Sequence, residues 1–296
     1  MLWGIDLGGT KIEGIVLESY DNPNEVSRIR INTEAEKGYD HVLNRIKELV
    51  EKLILDSGDE PKHIGIGTPG TIDPETQLLK NSNSVNLNHK PIKNDLEKIL
   101  NIKVKIENDA NCFALAETHF GSVKKIIKNP KVVFGVIMGT GVGGGIIVDG
   151  KSIFGHQGIG GEWGHTIVTD NGDDCYCGKR GCVESVISGR ALQIYYTKIS
   201  GKKLKLEEIY AKKDSDNHAK ETFERLITHF GKGLSNVVNI IDPDVIVLGG
   251  GLSNIDELYT EGYDELKKYV FNPTFNTPIL RPKLGDSAGV YGAALL

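Results

Sequence analysis

The apolar positions of this chain come in short runs, and most of the runs stop at glycine. Leu2 to Leu7 is one such run and ends in Gly8-Gly9-Thr10; Gly14 to Leu17 is the next. The pair predicts a strand, a glycine turn and a second strand. Val42, Leu43, Ile46, Leu49, Val50, Leu53 and Ile54 keep the spacing of one helix face, and Gly58 sits just beyond its end. His63 to Gly67 alternates and enters the loop Thr68-Pro69-Gly70, as a strand does. Val104 to Glu107 is a further strand end, followed by Asn108-Asp109 and a helical stretch from Ala110 to Phe120. In the second half, Val132 to Met138 predicts a strand, with Ile146 to Asp149 as its partner across Gly139 to Gly145. Phe223, Leu226, Ile227, Phe230, Leu234, Val237, Val238 and Ile241 form a long helical stripe that Asp242-Pro243-Asp244 stops. Val245 to Leu248 reads as a buried strand running into Gly249-Gly250-Gly251, and Ala288 to Leu296 as a final helix.

The strand–turn–strand opening therefore occurs twice, with a glycine loop each time. Two related α/β domains with a cleft between them are expected. The boundary falls in the polar, basic stretch from Phe120 to Pro130. The expected division is 1–122, joined by a C-terminal helix at about 286–296, and 123–285.

Composition narrows the function classes. The 296 residues are 39% hydrophobic and 25% charged, an ordinary globular balance with length for two substantial cores. The net charge of −5 and the absence of a basic run argue against a nucleic-acid partner. No apolar run reaches the length of a membrane span, and Met1 to Asp6 lacks the charged-then-apolar pattern of a secretion leader. A cytoplasmic protein is expected. Glycine stands out at 36 residues, gathered in runs between apolar segments, so the runs read as tight functional turns and not as linkers.

The chemistry sits in these turns and in one cysteine-rich stretch. Asp6-Leu7-Gly8-Gly9-Thr10-Lys11 suits a phosphate loop: glycines let backbone N–H groups approach an anion, Thr10 adds a hydroxyl, and Asp6 at the strand end can hold magnesium. A plain hairpin turn fits it equally. Gly139-Thr140-Gly141-Val142-Gly143-Gly144-Gly145 is richer in glycine than a structural turn requires, so close approach to a phosphate is expected there. Gly249-Gly250-Gly251 suits the base or sugar of a nucleotide, or a simple strand-to-helix turn. Asn108-Asp109 fits a helix N-cap, and a carboxylate so placed can also accept a proton from a hydroxyl. Cys175, Cys177 and Cys182, preceded by His165, match the donor set of a closed tetrahedral zinc site, which is structural because no position is left open. Glu162 and Glu184 flank these ligands and are expected to meet a substrate. Cys112 and Trp3 lie in apolar contexts and read as core.

Six motifs together resemble the ROK family of sugar kinases, within the actin-like ATPase superfamily: Gly4 to Lys11, Glu107 to Cys112, Gly139 to Gly145, Glu162-Trp163-Gly164-His165, Cys175 to Glu184 and Ile246 to Ser253. The resemblance spans Gly4 to Leu295. It implies two actin-like (ribonuclease H-like) α/β domains with an active-site cleft between them, and ATP-dependent phosphorylation of a hexose hydroxyl. It implies Asp109 as the general base, and Asn83, Asn108, Glu162, His165 and Glu184 on the sugar hydroxyls, with His165 also on zinc. Asp6, Gly8, Gly9, Thr10, Lys11, Gly139, Thr140, Gly141, Gly143 and Gly249 to Gly251 are implied around ATP and its magnesium. A homodimer is implied as well.

Within the family the likeness to bacterial fructokinases that also accept mannose rests on Lys80-Asn81-Ser82-Asn83-Ser84, Gly161 to His165, Cys175 to Lys179 and Val237 to Gly251. Fructose is therefore the expected acceptor, with glucose, N-acetylglucosamine or N-acetylmannosamine as the alternative; the N-acetylglucosamine kinases share most of the same residues. One departure is Asn86, where the fructokinase pattern has a bulky aromatic. The family also contains sugar-responsive repressors with an N-terminal helix-turn-helix domain. Here the phosphate loop begins at Gly4 and Asp109 is in place, so catalysis is expected over regulation.

Overall fold

The structure, a computed structural model, describes residues 1–82 and 84–296. The strands of the first half are β1 (Leu2–Leu7), β2 (Lys11–Leu17), β3 (Glu25–Asn32), β4 (His63–Thr68), β5 (Thr71–Ile72), β6 (Leu79–Lys80) and β7 (Lys103–Asn108). Those of the second half are β8 (Val132–Met138), β9 (Val142–Val148), β10 (Lys151–Ser152), β11 (Val245–Gly249) and β12 (Ile279–Leu280). Among the described residues these form two five-stranded sheets, of order β3-β2-β1-β4-β7 and β10-β9-β8-β11-β12, and the small pair β5-β6. In the first sheet β1, β2 and β3 are antiparallel neighbours, while β4 runs parallel to β1 and β7 to β4. In the second, β10 is antiparallel to β9, and β11 is parallel to both β8 and β12. One strand order is thus used twice, as the recurring strand–turn–strand pattern predicts.

The central parallel strands are buried on both faces: every residue of β11 is buried, and all of β4 but His63. β3 follows a different rule. Arg28 and Arg30 point outward while Ile29 and Ile31 pack on the core, the alternation of an edge strand with one wet face. β9 begins at Val142, earlier than Ile146, because Gly143 to Gly145 pair as strand where neighbouring groups approach closely.

The chain divides into two compact units, Met1–Ile126 with Gly145–Gly160 and Lys283–Leu296, and Ile127–Gly144 with Gly161–Pro282. In the first, the Tyr39–Ser57 helix lays Val42, Leu43, Ile46, Leu49, Val50 and Leu53 against Trp3, Ile5, Leu7, Ile12 and Val16. Each such side chain is worth about 1.5–3 kcal/mol of burial. Gly58, at φ 68°, ends the helix. Ile15, Leu17 and Phe120 pack with Val290 and Ala294. The Ala288–Ala293 helix can approach this closely only because β1 and β4 carry glycines there: a Cβ on Gly65 would lie 1.8 Å from the Ala293 carbonyl oxygen. Cys112 and Trp3 are core residues, 0% and 4% exposed.

In the second unit the 25-residue Asn217–Ile241 helix buries Phe223, Leu226, Phe230, Leu234 and Val238. It stops at Asp242 in the left-handed conformation, φ 41°, just before Pro243. Among the described residues no helix is long and apolar enough to cross a membrane.

Candidate functional site

In the first unit the end of β7 delivers Asn108 and Asp109 to the start of the Asp109–His119 helix. Asn108 is the N-cap, its side chain accepting from Ala110 N at 2.9 Å, and Asp109 Oδ1 accepts from the same nitrogen at 2.8 Å. Both side chains thus cap the same backbone nitrogen at the start of this helix. Glu107, which the sequence leaves without a role, holds this corner. It is 6% exposed and accepts from Asn108 N at 2.9 Å, Asn111 Nδ2 at 3.0 Å and Ser152 Oγ at 2.8 Å.

Asp6 lies near the end of β1, beside Gly67 and Gly289, whose missing side chains leave room for its carboxylate. Burial pushes Asp6 up to about 7, and the carboxylates of Asp109 and then Glu13 push the same way; Arg30 opposes them. Acids gathered out of water with too little positive charge are a donor set suited to a hard divalent cation. Glu13 is otherwise engaged, accepting from Arg28 at 2.7 Å and Arg30 at 2.8 Å. The turn Gly8-Gly9-Thr10 is closed by Gly8 N on the Lys11 carbonyl at 3.0 Å and pinned by Thr33, whose hydroxyl donates to the Gly8 carbonyl at 2.7 Å. Gly9, Thr10 and Lys11 are exposed. Asn83 lies outside the described residues. Asn86 donates to the Ala35 carbonyl at 2.6 Å.

In the second unit, His165, Cys175, Cys177 and Cys182 each offer one ligand atom, and the four atoms lie within 4.8 Å of one another. Cys177 Sγ and Cys182 Sγ are 3.6 Å apart, and Cys175 Sγ is 3.5 Å from His165 Nδ1. Tetrahedral zinc with these donors spaces its ligands at about 3.5–4 Å, so the set fits zinc. Gly181, at φ 69°, is needed to close the loop: a Cβ there would lie 1.8 Å from the Thr169 carbonyl oxygen. Glu162 precedes the short turn Trp163–His165. Burial raises its carboxyl above the ordinary range; His165 opposes this and Glu184 adds to it.

Glu184 does more than flank the cysteines. It accepts from Val142 N at 2.8 Å, which ties the cysteine loop to the Gly139–Gly145 loop. Trp163 ties it again, donating Nε1–H to the Gly143 carbonyl at 2.9 Å. Several glycines of that loop are consumed by these contacts: a Cβ on Gly141 would meet Glu184 Oε2 at 2.6 Å, and one on Gly144 would meet Trp163 at 2.6 Å. Gly139 has nothing within 4 Å of its Cβ position.

Gly139 and Thr140 open on a cavity of about 750 Å³ at the carboxyl ends of β8 and β11. In open α/β sheets ligands bind at such strand ends. Gly251, Leu252, Asn254 and Ile255 line one side, Leu206, Glu207 and Tyr210 another, and Gly189, Arg190 and Gln193 a third. Two of the three predicted glycine loops thus meet at one cavity, while Gly8-Gly9-Thr10 belongs to the other unit. The last group is the first turn of the Gly189–Ser200 helix, whose N-terminus and Arg190 favour an anion. Thr140 apart, the polar lining residues are not marked by any sequence motif, because they come from separated stretches.

The chain matches the ROK family across residues 2–296. It is 36% identical over 308 residues to the N-acetyl-D-glucosamine kinase of Aliivibrio fischeri (strain ATCC 700601 / ES114), covering 100% of this chain and 99% of that protein. It is 38% identical over 316 residues to the N-acetyl-D-glucosamine kinase of Pasteurella multocida (strain Pm70), with 100% and 99% covered. Its fold is similar to that of a ROK hexokinase from Thermus thermophilus (TM-score 0.89, 32% identity, 99% and 96% covered). It is also similar to a ROK family glucokinase from Streptomyces griseus in complex with glucose and AMPPNP (TM-score 0.79, 27% identity, 99% and 97% covered). The fold is the two-domain actin-like ATPase fold.

Proposed function

The chain belongs to the ROK family and is an ATP-dependent sugar kinase, and we propose that its acceptor is N-acetyl-D-glucosamine, phosphorylated on the 6-hydroxyl. The observation that carries this choice is the end-to-end likeness to N-acetyl-D-glucosamine kinases. It displaces fructose, the first expectation, because the N-acetylglucosamine kinases share most of the residues behind that expectation. Asn86 points the same way, standing where the fructokinase pattern has an aromatic and turning its amide to the Ala35 carbonyl.

In this reading Asp109 is the general base. It takes the proton of the 6-hydroxyl as that oxygen attacks the γ-phosphorus, and Asn108, Glu162, His165 and Glu184 hold the remaining hydroxyls. Phosphoryl transfer asks the protein chiefly for positioning and charge neutralisation. Asp6 would hold magnesium, which neutralises phosphate charge when bound. His165, Cys175, Cys177 and Cys182 would hold zinc as a scaffold for the loop that carries Glu162 and Glu184. The cavity beside Gly139 takes the nucleotide: Leu206, Tyr210, Leu252 and Ile255 receive the base, and the first turn of the Gly189–Ser200 helix with Arg190 attracts phosphate.

A coupled ADP-release assay over N-acetylglucosamine, N-acetylmannosamine, glucose, mannose and fructose tests the acceptor. The expected kcat/KM for N-acetylglucosamine exceeds each of the others by about tenfold or more, the scale on which one well-used polar contact discriminates. A ratio favouring fructose would restore the fructokinase reading.

A further inference from the structure

Tyr176 stands between the first two cysteines, and neither the zinc donor set nor the expected sugar contacts employ it. Its hydroxyl lies 3.1 Å from His165 Nε2, and its ring meets the imidazole edge-on, with centroids 5.2 Å apart and planes at 89°. The other imidazole nitrogen, Nδ1, faces Cys175 Sγ at 3.5 Å, inside the donor cluster. The two nitrogens of His165 are therefore divided. Nδ1 belongs to the thiols, and Nε2 is the one polar atom of the ring left to meet a sugar. With Nδ1 as a metal ligand, Nε2 carries the proton and donates it to the Tyr176 oxygen.

Two further observations describe the same phenol. The residue is 73% exposed, so little packing holds the ring in place. Its hydroxyl also lies in the electrostatic range of Glu184 and Glu162, the two carboxylates expected on the sugar. A metal-binding imidazole commonly gives its second N–H to a carboxylate, a backbone carbonyl or water. Tyr176 instead lays one hydrogen bond on the sugar-facing nitrogen and leaves the rest of itself in solvent.

We propose that Tyr176 is an acceptor-site residue that competes with the sugar: its hydroxyl occupies His165 Nε2–H until a substrate hydroxyl displaces it. The proposal rests on the sugar-contacting role given to His165 above. It makes the acceptor KM include the loss of one tyrosine–histidine hydrogen bond. It also sets a selectivity, since only a sugar that presents an oxygen to Nε2–H recovers that bond.

The test is Tyr176→Phe in the full chain with its zinc, assayed on whichever hexose the wild type turns over best. Removing the competing hydroxyl while keeping the ring is expected to lower the acceptor KM about three- to tenfold, the fold-change of one net hydrogen bond. Zinc content, kcat and the KM for ATP stay within about twofold on the same grounds. An unchanged or raised acceptor KM with zinc intact would overturn the proposal, because the hydroxyl would then be idle or a direct sugar contact. Loss of zinc from the variant would overturn it too, by making Tyr176 a structural partner of the metal loop. If the wild type prefers a hexose other than N-acetylglucosamine, the acceptor named above falls while the Tyr176 comparison still stands.

Discussion

The two glycine hairpins occupy the same place in two sheets of one strand order, yet their surroundings differ in charge. Gly4-Ile5-Asp6-Leu7-Gly8-Gly9-Thr10 in the first corresponds to Gly135-Val136-Ile137-Met138-Gly139-Thr140-Gly141 in the second. Asp6 pairs with Gly67 of β4, and Ile137 pairs with Gly249 of β11, so the neighbours correspond as well. The first hairpin has an acid at the strand end and sits among Asp109 and Glu13, surroundings that call for a cation. The second has isoleucine at that position and opens on a cavity bounded by a helix N-terminus and Arg190, surroundings that call for an anion. The backbone device is the same in both; the side chains around it differ in the sign of their charge.

The assignment of proton and cation chemistry to the first hairpin's surroundings breaks most visibly at Asp109. Asp109→Asn is expected to keep sugar binding and to lower kcat by roughly three orders of magnitude, within the range for loss of a general base. Near-normal turnover in that variant would remove Asp109 from the mechanism. Asp6→Asn is expected to cost about a hundredfold in kcat at saturating magnesium, since a phosphate-neutralising ion loses its anchor. The same variant has a second readout in stability. Asp6 is raised from an ordinary 3.8 to about 7, so its favourable contribution is complete below about pH 3.8 and is lost as pH rises through about 7. In magnesium-free buffer, Asp6→Asn should therefore gain stability relative to wild type between pH 4 and pH 7.5. The difference is on the order of 3–4 kcal/mol if the whole shift is expressed. Parallel melting curves across that pH range would show that Asp6 is ordinarily solvated.

The parts of this molecule legible in its sequence are those where one physical rule acts alone. β11 and the Tyr39–Ser57 helix have a single strong period and clear stops, and both form where the pattern places them. The zinc donor set is legible because its four residues lie in one short stretch, so spacing stands in for geometry. β3 is harder, because an edge strand carries Arg28 and Arg30 on its wet face and yields no apolar run. The cavity beside Gly139 is harder still. Its walls come from 139–140, 189–193, 206–210 and 251–255, and only the tertiary fold brings Arg190, Tyr210 and Asn254 together. Glu107 and Tyr176 fail for another reason. Each sits inside a recognisable motif as a spacer, and its role depends on a side-chain partner that spacing does not reveal.

The glycines of the second hairpin allow the finest division, between those that serve packing and those that face a ligand. A Cβ at Gly144 would meet Trp163 Cδ1 at 2.6 Å, the Gly161 carbonyl oxygen at 2.8 Å and Phe134 Cζ at 2.9 Å. One of these is backbone, and the two aromatic rings pack against each other edge-on, so there is no flexible tip to move aside. Gly144→Ala should lose about 1–3 kcal/mol of stability, the usual cost of overpacking a filled core. Gly139→Ala meets no atom within 4 Å and should leave stability unchanged or slightly raised, by a few tenths of a kcal/mol. If the cavity takes the nucleotide as proposed, its effect should appear instead as an increase of about tenfold in the KM for ATP, because the added methyl group would line that cavity. Thermal melts and ATP titrations on the two variants separate these outcomes. If both lose stability alike and ATP affinity stays put, Gly139 is another packing glycine and the phosphate assignment of this hairpin is lost.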